Sequence, residues 1–542
     1  MAKIGKNVIE SLTRSMYEDS RCIYREYIQN AADQIDLARE QHLEDDGYYS
    51  IHVRIFRDQR RIEIEDTATG VRHEDKGQLL DVAASRKKRG EQKGFRGIGR
   101  LGGLGYCSML VFETSAKGEE VKTIMRWDAD KMSRILDDDL DESEAGDVID
   151  DCTSFEEQPE EEAKHYFKVI LENVKDDRLL DVGNIRNYLS LVSPVDYPTS
   201  FNRFAAKIKN FVRSNNLSLD VYNIYVGDEH AEEQIYKAYT TNIRDKRNGD
   251  YDVKDIQFFS KKDQADNMIY WGWYSISELR GQMPSENLAY GMRLRCKNIQ
   301  VGDERTCRNF FVSEGDKRFS QYFYGELHVE TPELVPDARR DYIRECDYRP
   351  AFENWVREDF KVLKELCNDA SKMRSAQDDY DKALEKQEKL EKKKVTGYIT
   401  PTEREKAEKD FEQFKKNKEV AEQKIVRLQR KMEEKNSPLC LIYSNVGFHP
   451  QETAPAAPPQ ESTICRQYEH PDTHVAGKEA FPASSCEAPC RLLRTDRESY
   501  RKFDEKEKKI INVVYSAIYN AIADENMRDS LILKIEKELL KE

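Results

Sequence analysis

Long apolar runs are missing from this sequence. No stretch approaches the roughly 18–20 apolar residues that a bilayer crossing needs, and the first twelve residues, MAKIGKNVIESL, lack the apolar centre of a signal peptide. An excess of positive charge is missing too. With 88 Lys and Arg against 103 Asp and Glu, the formal net charge is −15, which argues against an overall attraction to nucleic acid but leaves a local basic face open. The eleven cysteines are odd in number and scattered, so a disulfide framework is not expected; reduced thiols in a cytoplasmic setting are. The P-loop pattern G-x-x-x-x-G-K-[ST] is absent, so any phosphate site must use another loop. What remains is a charged chain of 542 residues, too long for one hydrophobic core and expected to form two or three domains.

The most informative stretch is residues 24–33, YREYIQNAAD. Written as a helix, it stacks Glu26 and Asn30 one turn apart, with Ile23, Tyr27, Ile28 and Ala31 free to pack around them. The Asn oxygen can ligate a hard cation such as Mg²⁺, while the carboxylate orients or deprotonates a neighbouring water. On its own this pair reads as ordinary solvated helix surface. Two further motifs follow in order. The strand-like RIEIE of residues 61–65 runs into Asp66-Thr67-Ala68-Thr69-Gly70, an acid at a strand end beside a turn. Gly94-Phe95-Arg96-Gly97-Ile98-Gly99 then opens a glycine-rich loop whose backbone N–H groups can approach phosphates. Ser85, Arg86, Lys87 and Lys88 lie in the same segment, where a phosphate role and a solvated basic loop both stay open.

Helix with E-x-x-x-N, strand with D-x-x-x-G, then G-x-x-G-x-G: this order resembles the GHKL superfamily of ATPases (gyrase B, heat-shock chaperones, histidine kinases and MutL). The resemblance runs over residues 1–345 and looks most like HtpG-type heat-shock chaperones. It implies a Mg²⁺-dependent ATPase in which Glu26 is the general base, Asn30 holds the metal and Asp66 reads the adenine amino group. Asp33, Gly70, Gly94, Gly97 and Gly99 would be nucleotide-side residues. The sequence departs from the family at Ala68, where a glycine is usual, and at Tyr166-Phe167, where relatives carry Gly-Thr. Those departures leave a non-hydrolysing nucleotide sensor open. A histidine kinase would need a phosphoacceptor His on a helix before the ATPase domain, and none precedes Glu26.

The expected fold class is α+β. Residues 1–200 would form a Bergerat-type α/β sandwich with strands at 49–56, 61–65, 109–114, 122–127 and 166–171, interrupted by an acidic insert at 137–162 expected to be solvated and disordered. Residues 201–345 would be an α/β middle domain. Its strands fall at 219–226, 268–274 and 291–303, and a loop within 325–341 would, by the resemblance, bring Arg340, with Arg339 in reserve, to the γ-phosphate. Residues 346–436 read as a long antiparallel coiled-coil hairpin: Val356, Phe360, Leu363, Cys367 and Ala370 repeat in 4-3-4-3 steps, and Thr400-Pro401-Thr402-Glu403 restarts a helix. Its Lys392-Lys393-Lys394 tip is solvated or touches nucleic acid. Residues 437–495 read as a flexible linker, in which Cys465, His470, His474, Cys486 and Cys490 fit no zinc spacing. Residues 496–542 carry amphipathic helices suited to docking or homodimerisation.

Two outputs follow from the resemblance. One is nucleotide-driven lid closure and domain docking that remodel a protein client. The other is an ATP-gated nucleic-acid clamp, as in MutL or MORC-type ATPases of prokaryotic defence or DNA repair. Salt-sensitive stimulation by DNA separates them.

Overall fold

The apolar spacing of the first helices fixes what the first sheet packs against. In this computed structural model, which describes residues 4–13, 18–82, 93, 97, 99–247, 249–397 and 400–443, helix α1 is Asn7–Thr13 and α2 is Cys22–Glu40. Ile23, Ile28, Ala31 and Ile35 of α2 are buried in the first core. By its contacts the chain divides into Met1–Gln451 and Glu452–Glu542. The second unit, with the linker cysteines and histidines beyond residue 443 and the expected tail helices, lies outside the described residues.

Strands β1 (Ile51–Phe56) and β2 (Arg61–Asp66) form an antiparallel hairpin in which every second residue is buried. They are followed by β3 (Met109–Ser115), β4 (Val121–Asp128), helices α3 (Ala129–Asp137) and α4 (Ala145–Cys152), then β5 (Thr153–Pro159) and β6 (Tyr166–Glu172). After α5 (Val182–Val192) and α6 (Asn202–Ser214), β7 (Ile224–Gly227) joins β1 in parallel and β8 (Glu232–Gln234) closes that edge. The order across this eight-stranded sheet is β5-β4-β3-β6-β2-β1-β7-β8. The sheet therefore continues past residue 200, where the change in sequence pattern falls. Of the strand expected at 219–226, only its end is a strand.

The acidic stretch is not disordered. Val148 and Cys152 give α4 a buried face, Glu144 and Asp147 form a capping box at its start, and β5 pairs with β4 along its length. Backbone pairing at a sheet edge overrides a composition that reads as solvated, and most β5 side chains do face solvent.

Beyond the short pair β9 (Asn242–Ile243) and β10 (Tyr251–Asp252), a second sheet is built from β11 (Asp255–Lys262), β12 (Met268–Ile276), β13 (Gly291–Cys296), β14 (Ile299–Val301) and β15 (Tyr324–Val329), ordered β11-β12-β15-β13-β14. Residues 291–303 are thus a hairpin and not one strand. Lys297 and Asn298 both take positive φ, 53° and 57°, and turn the chain between Cys296 and Ile299. All nine residues of β12 are buried because both faces of the sheet are covered. Trp271 and Trp273 pack with Phe204 and Ile208 of α6, and Tyr270 and Leu327 pack with the helix that follows β15.

That helix is α7 (Arg349–Thr396), and α8 (Pro401–Glu434) follows after a short turn. Val356, Phe360, Leu363, Cys367 and Ala370 are all buried against the second sheet and α8. Burying one such side chain contributes about 1.5–3 kcal/mol. Thr400 caps α8 by accepting from the Glu403 amide at 3.2 Å, and Pro401 is its first residue. Lys393 bonds Glu403 beside the turn and Lys435 pairs with Glu365 at the far end, so the helices run back along one another. Part of the expected linker is ordered: α9 (Cys440–Tyr443) buries Tyr443, next to buried Leu439.

Candidate active site

Helix α2 supplies one wall of a cavity of about 550 Å³. Glu26, Asn30, Asp33, Gln34 and Leu37 follow one another at helical spacing and all line it. Glu26 and Asp33 are buried, and Asn30 is half-buried. Tyr27, on the adjoining stripe, anchors the helix to the glycine-rich segment: its hydroxyl accepts from the Gly103 amide at 3.0 Å and donates to the Arg100 carbonyl at 3.1 Å.

The opposite wall comes from the sheet. Alternation along β2 puts Asp66 on the same buried face as Ile62 and Ile64, which is why an acid stands at the cavity's floor. Its Oδ1 accepts from the Ala68 amide at 3.1 Å. Ala68 is itself fully buried, so the methyl in place of the family's glycine packs into the core. Gly70 has φ +63°, and a Cβ there would stand 1.9 Å from the Ser115 carbonyl oxygen, so only glycine fits this turn. Phe167, Val169 and Ile64 make the apolar side of the cavity. The nearby Thr114 hydroxyl is engaged within the fold, donating to the Tyr166 carbonyl and accepting from the Val71 amide, each at 2.8 Å. Tyr166 lies away from the cavity lining and donates to Glu113 and Glu160 at 2.8 and 3.0 Å.

Gly97 and Gly99 also line the cavity, whereas Gly94 and residues 85–88 lie outside the described residues. A Cβ on Gly99 would meet Glu26 Oε2 at 2.6 Å, so the glycine lets the loop backbone rest on this carboxylate. The segment it opens, Gly99–Gly105, is a seven-residue 3-10 helix.

A third part of the chain completes the wall. Pro336, Ala338 and Arg340 reach the cavity from the turn after β15. Arg340 is buried, takes φ +58°, and accepts at its own carbonyl from the Gly302 amide at 2.6 Å. Its Nη2 donates to the Lys93 carbonyl, and among the described residues Nη1 has no hydrogen-bond partner. Burial lowers its pKa, and Glu26 is the carboxylate that most opposes the shift. Arg339 is exposed; its carbonyl accepts from Arg25 at 2.9 Å. Of the two arginines, then, Arg340 is the one at the cavity.

Eight of the nine residues singled out from the sequence thus border one space: Glu26, Asn30, Asp33, Asp66, Gly70, Gly97, Gly99 and Arg340. Asp33 is partly committed within the fold, since its Oδ1 accepts from the Lys93 amide at 2.8 Å. Sequence reasoning missed Gln34 and Thr69, whose hydroxyl donates to Gln34 Oε1 at 2.8 Å, and it missed Lys93. Gln34 had a signal, one turn beyond Asn30; Lys93 had none.

Residues 26–158 match the family described as histidine kinase-, DNA gyrase B-, and HSP90-like ATPases. The chain carries a GHKL-type ATPase domain. Two curated relatives are similar over wider or narrower spans, both named chaperone protein HtpG. That of Shouchella clausii is 24% identical over 352 residues, covering 61% of this chain and 50% of that protein. That of Psychrobacter arcticus is 24% identical over 161 residues, 26% of this chain and 24% of that protein. The chain therefore spans half or less of the length of these relatives.

The cavity, built from the GHKL domain and the turn carrying Arg340, has room and chemistry for a nucleotide. Its volume is in the usual range for small-molecule sites, about 300–1,000 Å³. It pairs an apolar wall and a strand-end acid with a buried guanidinium, one nitrogen of which has no hydrogen-bond partner among the described residues. Among the described residues no three His, Cys, Asp or Glu side chains converge as a metal cage. Mg²⁺ is commonly held by one or two protein oxygens together with substrate phosphates, and the Asn30 side chain bordering the cavity carries one such oxygen. Among the described residues, no helix is long and apolar enough to cross a membrane.

Proposed function

We propose that this cavity binds ATP with Mg²⁺ and hydrolyses it to ADP and phosphate, and that the turn carrying Arg340 ties this chemistry to the second sheet. The observation that supports this most is convergence: Glu26, Asp66, Gly99 and Arg340 come from four separate stretches and line one cavity. Asp66 accepts a hydrogen bond from the adenine amino group, with Phe167 and Val169 against the base. The Gly97 and Gly99 backbone, having no side chain in the way, lies close to the phosphates. Asn30 offers its side-chain oxygen to Mg²⁺, which when bound offsets phosphate charge. Glu26 orients a water and takes its proton. Arg340, buried and charged, opposes the negative charge that builds on the transferring phosphoryl group.

Residues 1–200 serve as the catalytic domain in this reading, with β7 and β8 added to its sheet from beyond that boundary; the rest of 201–345 is the domain that docks, and 346–436 a coiled-coil hairpin. The output is remodelling of a protein client by a homodimer in the cytoplasm, after the manner implied by the HtpG-like similarity. The second reading is a nucleic-acid clamp. At the Lys392-Lys393-Lys394 tip, Lys393 bonds Glu403 at 2.5 Å and Lys394 stands 3.6 Å from the centre of the Phe411 ring, while all three lysines stay exposed; the formal net charge of −15 is what weighs against the clamp. The test is ATP turnover by the purified chain with and without duplex DNA, at about 50 and 200 mM salt. Mg²⁺-dependent turnover that ignores DNA is expected. Stimulation by DNA that fades steeply with salt would replace the client reading with the clamp.

A further inference from the structure

Lys93 lines the cavity, yet the chemistry above gives it nothing to do. Its side chain is only 4% exposed, and it also borders a small adjoining cavity shared with Arg340. Separate parts of the fold hold it. Nζ pairs with Asp36 of α2 at 2.6 Å and with Asp220, ahead of β7, at 2.9 Å, and lies 5.1 Å from the centre of the Tyr222 ring. Tyr222 in turn donates to Asp36 at 2.6 Å. The Lys93 amide donates to Asp33, and its carbonyl accepts from Arg340. Burial pushes the ammonium pKa down, but Asp220 and Asp36 outweigh burial and hold it above the ordinary lysine value.

We infer that Lys93 is the positioning residue for Arg340: its ammonium, clamped between Asp36 and Asp220, fixes the peptide carbonyl on which the guanidinium rests. Among the described residues that carbonyl is the guanidinium's hydrogen-bond acceptor, and the Arg340 backbone is independently pinned at φ +58° through Gly302. The side chain is therefore held at both ends, with Nη1 left unbonded. A lysine meets the requirement because one buried cation satisfies two carboxylates from different elements. An apolar residue would take this cation from Asp220, leave Asp36 with only the Tyr222 hydroxyl and Arg39, and free the carbonyl to move. A misplacement of about 1 Å at such a contact is enough to cost a large factor in rate. The inference rests on the reading of Arg340 as the residue that serves the phosphoryl group.

The test is steady-state ATP hydrolysis by the full chain carrying Lys93→Met, Lys93→Arg, Arg340→Ala, or Lys93→Met with Arg340→Ala. Lys93→Met is expected to lower kcat about tenfold or more while KM moves by less than about threefold, and Lys93→Arg to recover most of the loss. In the Arg340→Ala background Lys93→Met should add nothing, since residues acting through one group are not additive. Wild-type kcat in Lys93→Met, or a loss that multiplies with that of Arg340→Ala, overturns the inference. Full turnover by Arg340→Ala itself overturns instead the reading of Arg340, and so the two failures are distinguishable. Should Lys93→Met not fold, Asp36→Asn and Asp220→Asn carry the same test, because each loosens the ammonium without removing it.

Discussion

Both sheets bury charge, and they do so in opposite ways. In the second sheet Glu326 is wholly buried and surrounded by donors: Lys237 at 2.7 Å, Tyr197 at 2.6 Å, His328 at 3.1 Å, Trp273 at 3.3 Å, and the Arg295 guanidinium. Arg295 and Glu326 hold each other charged. Burial, then the neighbouring Arg295, pushes Lys237 down to about 7, and burial pushes His328 down to about 4. Arg295 also donates to the Leu191 carbonyl at 2.7 Å, and Asn298 to that of Asp220 at 2.6 Å, so the cluster fastens the β13–β14 hairpin to earlier parts of the chain. Around the cavity, by contrast, Glu26, Asp66 and Arg340 are buried beside about 550 Å³ of space, and among the described residues Arg340 Nη1 has no hydrogen-bond partner. Buried charge enclosed by partners is a fastening; buried charge facing a cavity is what the proposed nucleotide site requires.

The comparison can be broken from either side. Glu326→Gln removes the carboxylate bonded to Lys237 and Arg295, and uncompensated buried charge of this kind costs about 3–5 kcal/mol. The urea midpoint should fall sharply, while KM and kcat of the folded fraction should stay within about threefold. A large change in kcat at unchanged stability would show that this cluster is not merely a fastening. Gly99→Ala should do the reverse. Its Cβ would press on Glu26 Oε2 at 2.6 Å, so the carboxylate or the loop must shift. Turnover should drop about tenfold, with a smaller effect on the urea midpoint. Equal turnover in Gly99→Ala would mean that the contact with Glu26 is unimportant to the chemistry.

How much of this could be read in advance follows from how local each signal is. The E-x-x-x-N helix face, the acid closing an alternating strand and the cap at Thr400 depend on neighbours within a few residues, and each lies where its spacing puts it. The elements that differed depend on distant partners. The acidic stretch at 137–162 became α4 and an edge strand because β4 offered unpaired backbone groups. The stretch at 291–303 became a hairpin through two non-glycine residues at positive φ, a turn that carries no Asn-Gly or Asp-Gly signature. Lys93 looks like any lysine in a basic stretch; its role depends on Asp36 and Asp220, which only the fold brings together. Lys237, Arg295 and Glu326 likewise read as surface residues by composition, although none is exposed. Arg340 was legible only through the family resemblance, since nothing local separates it from Arg339.

The most direct measurement is ATP turnover and ATP affinity of Glu26→Ala beside wild type, with Asp66→Asn as the binding control. Loss of a general base should lower turnover by about 10²–10⁴-fold while ATP still binds, and Asp66→Asn should abolish binding itself. Hydrolysis by Glu26→Ala at the wild-type rate would contradict the account.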